Sequence, residues 1–222
     1  MAQRSDLLQS LRGRLVEGPD SWSGRQRARR WAWFLGVFPN LDRMSVLDLG
    51  GEPSTWLGSS VHPEHVDVVN IAPLDEPTPD WMNVAVGDAC ALPSHIAERR
   101  YDLVFSNSVL EHVGGHERRL RFAEAVHSMG PSHWVQTPYR YFPIEPHWIA
   151  PGMQFMPVRA RATLARRWPL AKVKPTDAHG AVAGVLWTEL VDKTQMRFYF
   201  PQSVIRTEKV LGWTKSLIAF KA

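Results

Sequence analysis

The hydrophobic pattern changes character twice along the chain. Trp31, Trp33, Phe34 and Phe38 fall at helical spacing, which predicts a helix over Gly24–Phe38 with one face toward a core. An earlier helix is predicted over Ser5–Leu15. From residue 44 onward the pattern becomes short unbroken apolar runs, each closed by glycine or a polar residue. These are Met44–Leu49, Val66–Ile71, Trp81–Val86, Tyr101–Ser106 and His133–Thr137. Runs of this length without alternation predict strands buried on both faces. Ser54–Ser60 and Glu117–Met129 lie between them and predict helices, so the chain alternates strand and helix as a parallel sheet requires. Pro138–Pro157 breaks the rhythm; rich in proline and aromatics, it predicts a long functional loop or lid. Arg159–Trp168 resumes as a helix. The end predicts two strands, Ser203–Val210 and Lys215–Lys221, joined by Leu211-Gly212-Trp213-Thr214. Five parallel strands plus a terminal antiparallel hairpin give a seven-stranded α/β sheet with helices on both faces.

Composition narrows this picture. With 222 residues, 44% hydrophobic and 22% charged, the chain suits one globular α/β domain. No apolar run reaches the roughly 18 residues of a membrane span, and residues 1–14 lack the apolar core of a secretion signal. Cys90 is the only cysteine, so a cytoplasmic location is expected. Net charge is +4 and the pI about 9.5. Arginine dominates, concentrated in 25–30 and 159–167, and lysine is confined to six positions: 172, 174, 193, 209, 215 and 221. Neither arginine run is interleaved with base-stacking aromatics, so a nucleic-acid partner is not favoured. The ten tryptophans suit packing, or an aromatic-lined pocket. The arginine-over-lysine bias points to a GC-rich, actinobacterial source.

In an open parallel sheet, ligands bind beyond the carboxyl ends of the strands, where strand order reverses. The first strand ends Asp48-Leu49-Gly50-Gly51, a turn that lets backbone approach a ligand closely, with Asp48 placed to order the turn or meet an amino group. Asn70 closes the second strand, about 20 residues on, where ribose hydroxyls need a polar partner. Asp88 closes the third, beside Ala89, and can accept from an adenine amino group. Ser106-Asn107-Ser108 closes the fourth.

Three linked motifs, VLDLGG at 46–51, VGDACALP at 86–93 and YDLVFSNSVLEHV at 101–113, resemble the class I methyltransferases, in particular the type 11 branch. The likeness runs over roughly Val46–Thr137. It implies a Rossmann-like, doubly wound sheet binding S-adenosyl-L-methionine among Asp48, Gly50, Gly51, Asn70, Asp88, Ala89, Asn107 and Ser108. On this reading the single domain divides into N-terminal helices (1–42), a cofactor-binding half (43–137), a substrate loop or lid (138–200) and closing strands (201–222). The sequence departs from the pattern in two ways. Glu52 and Ser54 stand where the family has its second and third glycines, and Asn70 stands where it has an acid. Asparagine still hydrogen-bonds hydroxyls, without charge assistance.

Methyl transfer from a sulfonium is an in-line displacement, and an alcohol acceptor must also lose a proton to a base. The stretch Gln136–Trp148 resembles the QTP-x-R-x-FP-x-EPH loop of some bacterial methyltransferases. It concentrates the candidates: His147 as base, Glu145 as its partner or a substrate ligand, and Tyr139, Tyr141 and Trp148 as acceptor contacts. His112 is the alternative base, and Glu145 and His147 equally suit a loop-stabilising role. Glu145, His147, Asp177 and His179 are metal-ligand types, but their spacing forms no metal motif; no metal site is assigned and magnesium is not favoured. The expected activity is O-methylation of a sugar, oligosaccharide or related small molecule. The alternatives are N-methylation of RNA or protein, and a non-catalytic cofactor-binding module. Self-association as a homodimer is compatible with this fold.

Overall fold

The apolar runs become strands because each is long enough to cross a sheet and has no polar side to present to water. A computed structural model describes residues 21–74, 76–171 and 174–222; the helix expected over Ser5–Leu15 lies outside them. The chain divides into two compact units. One comprises Asn40–Phe142 with Thr188–Ala222, the other the residues up to Pro39 with Pro143–Trp187.

The first unit holds the sheet: β1 (Ser45–Leu49), β2 (His65–Asn70), β3 (Met82–Val86), β4 (Leu103–Asn107), β5 (Ser132–Pro138), β6 (Val204–Val210) and β7 (Trp213–Lys221). Their order is β3-β2-β1-β4-β5-β7-β6, with the first five parallel and β7 antiparallel to both its neighbours. β1, β2, β4 and β5 are buried along almost their whole length, as unbroken apolar strands must be. The edge strands behave differently: β3 buries only Met82 and Ala85, and β6 buries only Val210, with Arg206, Glu208 and Lys209 along it and a register shift at Glu208/Lys209. Charge and a bulge are the usual protection of an edge against pairing with other chains.

Helices α2 (Pro53–Leu57), α3 (Ser94–Ala97), α4 (His116–Met129) and α7 (Lys193–Tyr199) belong to this unit. Leu47, Leu49, Val104, Phe122, Val126, Val135, Met196 and Leu217 share its principal core. Asp67, buried in β2, ties the sheet together away from the carboxyl edge. It accepts from Arg99 Nη1 (2.7 Å), Tyr101 Oη (2.5 Å) and Asn83 Nδ2 (2.9 Å). Burial alone would raise its pKa, but these donors and His65 outweigh it and hold the carboxyl below the usual range.

The second unit contains α1 (Trp22–Val37), capped by Ser21 Oγ accepting from Gly24 N, with Phe34 and Phe38 buried as the spacing predicts. It also contains the proline-rich stretch from Pro143 onward, with a two-residue ribbon pairing Ile144–Glu145 with Ala150–Pro151, then α5 (Val158–Arg167) and α6 (Ala178–Leu186). Trp148, Met153, Ala162, Ala165, Ala181 and Val185 form its core.

Two helices stand late in the 138–200 stretch expected to form a substrate loop or lid. Asp177 caps α6 by accepting from Gly180 N at 2.7 Å, which places His179 in the first turn. Asp192 and Gln195 form a reciprocal capping box at the start of α7. The terminal hairpin is also tighter than expected: Leu211 and Gly212 alone make the turn, and β7 begins at Trp213.

Candidate active site

β1 lies between β2 and β4, so the β1–α2 turn stands where strand order reverses. Gly50 sits at φ 76°, its N–H on Val69 O, and a Cβ there would fall 2.6 Å from the Val109 side chain. Gly51 is tighter still: a Cβ would lie 1.9 Å from Asp48 Oδ2. Asn70 holds the turn from the side, donating Nδ2–H to Gly51 O at 2.8 Å and accepting from Ala72 N at 3.1 Å. Asn70 thus braces the glycine turn as well as closing β2.

Asp48 is fully buried beneath this turn. Its Oδ2 accepts from Trp56 Nε1 at 2.8 Å, while Oδ1 has no hydrogen-bond partner among the described residues. Burial raises its pKa to about 7, opposed by the indole N–H. Trp56, itself buried, meets Phe105 of β4 edge-on at 5.2 Å. A bulky ring from α2 therefore fills the floor under the turn.

At the end of β3, Asp88 accepts from Arg118 Nη2 at 2.9 and 2.8 Å and from Cys90 N at 2.9 Å. Partial burial works to raise its pKa, yet the guanidinium and the Cys90 N–H keep the carboxyl below its ordinary value. Ala89 follows it, half-buried against the core. At the end of β4, Ser108 takes φ 59°, with its N–H on Gln136 O and its hydroxyl on Gln136 Oε1, both at 2.9 Å. Asn107, the last residue of β4, pairs with Gln136 in the sheet.

Buried Glu111 accepts from Thr137 Oγ1 at 2.8 Å, and its carbonyl accepts from Glu189 N. Next to it, His112 Nδ1 lies 3.5 Å from Thr188 Oγ1. Arg119, buried in α4, holds both the carbonyl and the carboxylate of Glu189. The Glu-His pair after β4 is thereby fixed to the end of β5 and to the segment entering α7. Beyond β5, Tyr139 and Tyr141 meet edge-on at 5.6 Å, and Lys193 Nζ lies 5.6 Å over the Tyr139 ring. Hydrogen bonds from Tyr139 N to Lys215 O and from Arg140 N to Val191 O anchor this aromatic rim.

In the other unit, buried Glu145 organises its loop. Its Oε1 lies 2.7 Å from His147 Nδ1, and its Oε2 accepts from Trp148 N at 2.7 Å. Trp148 is held in turn by Trp168 Nε1 on its carbonyl and lies against Gly184. Glu145, His147 and Trp148 thus form one hydrogen-bonded group, whereas Asp177 is committed to capping α6. Sequence reasoning passed over Arg118, Trp56 and Val109. Arg118 stands 30 residues from the acid it pairs with, and no spacing rule joins them.

No family model matches the sequence, and no curated protein matches it. Solved structures do. An N-methyltransferase, NodS, from Bradyrhizobium japonicum aligns at TM-score 0.51 and 12% identity, covering 88% of this chain and 95% of that one. A SAM-dependent methyltransferase from Anabaena variabilis aligns at 0.55 and 12%, covering 87% and 83%. Magnesium protoporphyrin IX methyltransferase from Synechocystis, with bound S-adenosylhomocysteine, aligns at 0.52 and 12%, covering 90% and 84%. At these identities the likeness establishes the architecture: the chain has the Rossmann-like fold of solved methyltransferases.

Proposed function

We propose that this chain is an S-adenosylmethionine-dependent methyltransferase acting on a hydroxyl of a sugar, oligosaccharide or related small molecule. The observation that carries the reading is the Gly50-Gly51 turn at the sheet's switch point, where neither glycine has room for a side chain. Such a turn serves close backbone approach to a ligand, and the solved neighbours use this fold for methyl transfer. Gly50, Gly51, Asn107 and Ser108 would line the cofactor. Asp48 would hold the turn, Asn70 would brace it beside the ribose, and Asp88 with Ala89 would meet the adenine. The cofactor supplies an electrophilic methyl group on sulfur; the protein's share is alignment and proton removal.

For the proton, the Glu145–His147 pair has the required form. The carboxylate holds the imidazole at Nδ1, which makes Nε2 the nitrogen that takes a proton. His112 is the alternative. Tyr139 and Tyr141 supply an aromatic edge of the kind that stacks on a sugar ring. A cytoplasmic location fits the single cysteine, and no helix among the described residues is long and apolar enough to cross a membrane.

Calorimetric titration with S-adenosylmethionine and S-adenosylhomocysteine, repeated on Asp88→Ala, tests the site. Micromolar binding weakened by the substitution is expected, followed by label transfer from methyl-labelled cofactor to sugar acceptors. Transfer to RNA or protein nitrogen instead would replace the acceptor assignment. No binding of either nucleotide would overturn the enzyme reading in favour of an interaction module.

A further inference from the structure

The β6–β7 hairpin ends in a feature that folding alone does not require. Leu211 and Gly212 form a two-residue turn with both at positive φ, 48° and 84°. That is the pattern of a type I′ turn, which strongly prefers asparagine or aspartate at its first position; a branched apolar residue there is strained. Leu211 is also 95% exposed, and Trp213, the next residue beyond the turn, is 61% exposed. Strain and full exposure together at a leucine give nothing back to the fold, so they point to contact with something outside it.

The surroundings indicate what that is. Lys209 and Lys215 flank the tip, and the hairpin from 204 to 217 also carries Arg206 against the single acid Glu208. The chain has few lysines and places two of them here. A leucine at the apex, a tryptophan beside it and lysines set one step back make the arrangement that inserts at a lipid–water interface. The apolar tip enters the acyl boundary, the indole sits at headgroup level and the ammonium groups face phosphate. The chain's overall charge of +4 has the same sign preference.

Position gives this a functional meaning. Ser216 of β7 pairs with Pro138 at the end of β5, and Tyr139 N donates to Lys215 O. The tip therefore projects past the carboxyl edge of the sheet, the same edge that carries the Gly50-Gly51 turn, Asp88 and the Tyr139–Tyr141 rim.

We infer that the Leu211–Trp213 tip docks on an anionic lipid surface and turns the carboxyl edge of the sheet toward it, so that the acceptor is met at that surface as a lipid-linked molecule. The acceptor half of this statement rests on the methyltransferase reading; the docking half does not.

Flotation of the full chain with phosphatidylglycerol–phosphatidylcholine vesicles, and with phosphatidylcholine alone, tests the docking without cofactor. Binding is expected to the anionic vesicles, to weaken as salt is raised, and to fall roughly tenfold in Leu211→Asn. That substitution suits the turn, so the variant should melt at or above the wild-type temperature and bind S-adenosylmethionine unchanged. Lys209→Glu should weaken anionic-vesicle binding as well. Wild-type protein that stays with the soluble fraction, or a Leu211→Asn variant that floats equally well, would overturn the inference. So would a wild-type dimer in sedimentation velocity that Leu211→Asn converts to monomer, which would assign the tip to a second copy of the chain. Loss of cofactor binding in the wild type would count against the methyltransferase reading alone.

Discussion

Replacing Asp48 with asparagine separates what this carboxyl costs the fold from what it does for the site. The side chain is fully buried, with one oxygen on Trp56 Nε1 and the other without a hydrogen-bond partner among the described residues. Burial raises its pKa from 3.8 to about 7. Below pH 4 the carboxyl is protonated in folded and unfolded chains alike, and the shift has no effect on stability. As pH rises from 4 to 7 the unfolded chain gives up the proton and the folded chain retains it, so folding loses ground; above 7 the loss is complete. At about 1.4 kcal/mol per unit, the full cost is about 4 kcal/mol.

An asparagine at this position keeps an acceptor for the indole but brings an amide N–H₂ to the side where Oδ1 lacks a partner, at a cost of about 2 kcal/mol. Asp48→Asn should therefore be more stable than wild type by about 2 kcal/mol above pH 8, a rise in Tm of roughly 4–8 °C for a chain of this size. The advantage should vanish at about pH 5 and become a deficit of about 2 kcal/mol below about pH 4, where the wild-type carboxyl is neutral in both states. Urea denaturation of both proteins at several pH values between 4 and 9 measures this. A stability difference that does not change with pH would refute the reasoning, since it would mean that Asp48 titrates as an ordinary carboxyl. Weaker S-adenosylmethionine binding in the stabilised variant would mark Asp48 as a group kept for the ligand at the expense of the fold.

Gly51→Ala sets a methyl group against the buried Asp48 carboxylate; it should destabilise the chain by about 2 kcal/mol and abolish measurable cofactor binding, read by thermal melting and calorimetry. His133 is buried, and its pKa is lowered to about 4 by that burial and by the neighbouring charges of His127 and Lys221. The unfolded chain binds this proton near pH 6.5 and the folded chain only near 4, so stability should fall as pH drops through that window by about 3 kcal/mol. His133→Gln lacks this fall, so its stability relative to wild type should rise by about that amount between pH 7 and 4, and a difference that does not change with pH would exclude the assignment.

The five parallel strands were legible because each is an apolar run bounded by turn residues, and burial on both faces leaves that signature without help from distant parts of the chain. Their ends shifted by one or two residues, as hydrogen bonding rather than hydropathy sets them. The Gly50-Gly51 turn was legible for a similar reason: two glycines after a buried strand have few other uses. α6 was not, although Asp177 is a local capping signal, because its small apolar residues and two glycines show no helical stripe. α7 carried its capping box in plain sight at Asp192 and Gln195, within a stretch too short for periodicity to register.

Other features depended on the fold itself. Asn70 and Asp88 stood out as polar strand ends, but only the tertiary structure could decide that one braces Gly51, 19 residues away, and the other is held by Arg118, 30 residues away. The same holds for the hairpin tip. Local preference argues against Leu211 at φ 48°, and a four-residue connection was the natural expectation; pairing of β6 and β7 across the bulge at Glu208/Lys209 closes the turn on two residues instead. Strand identity and the glycine turn are written in short stretches of chain, where hydropathy and backbone sterics act over a few residues. Which side chain answers which polar group is decided by separations that only the folded sheet brings together.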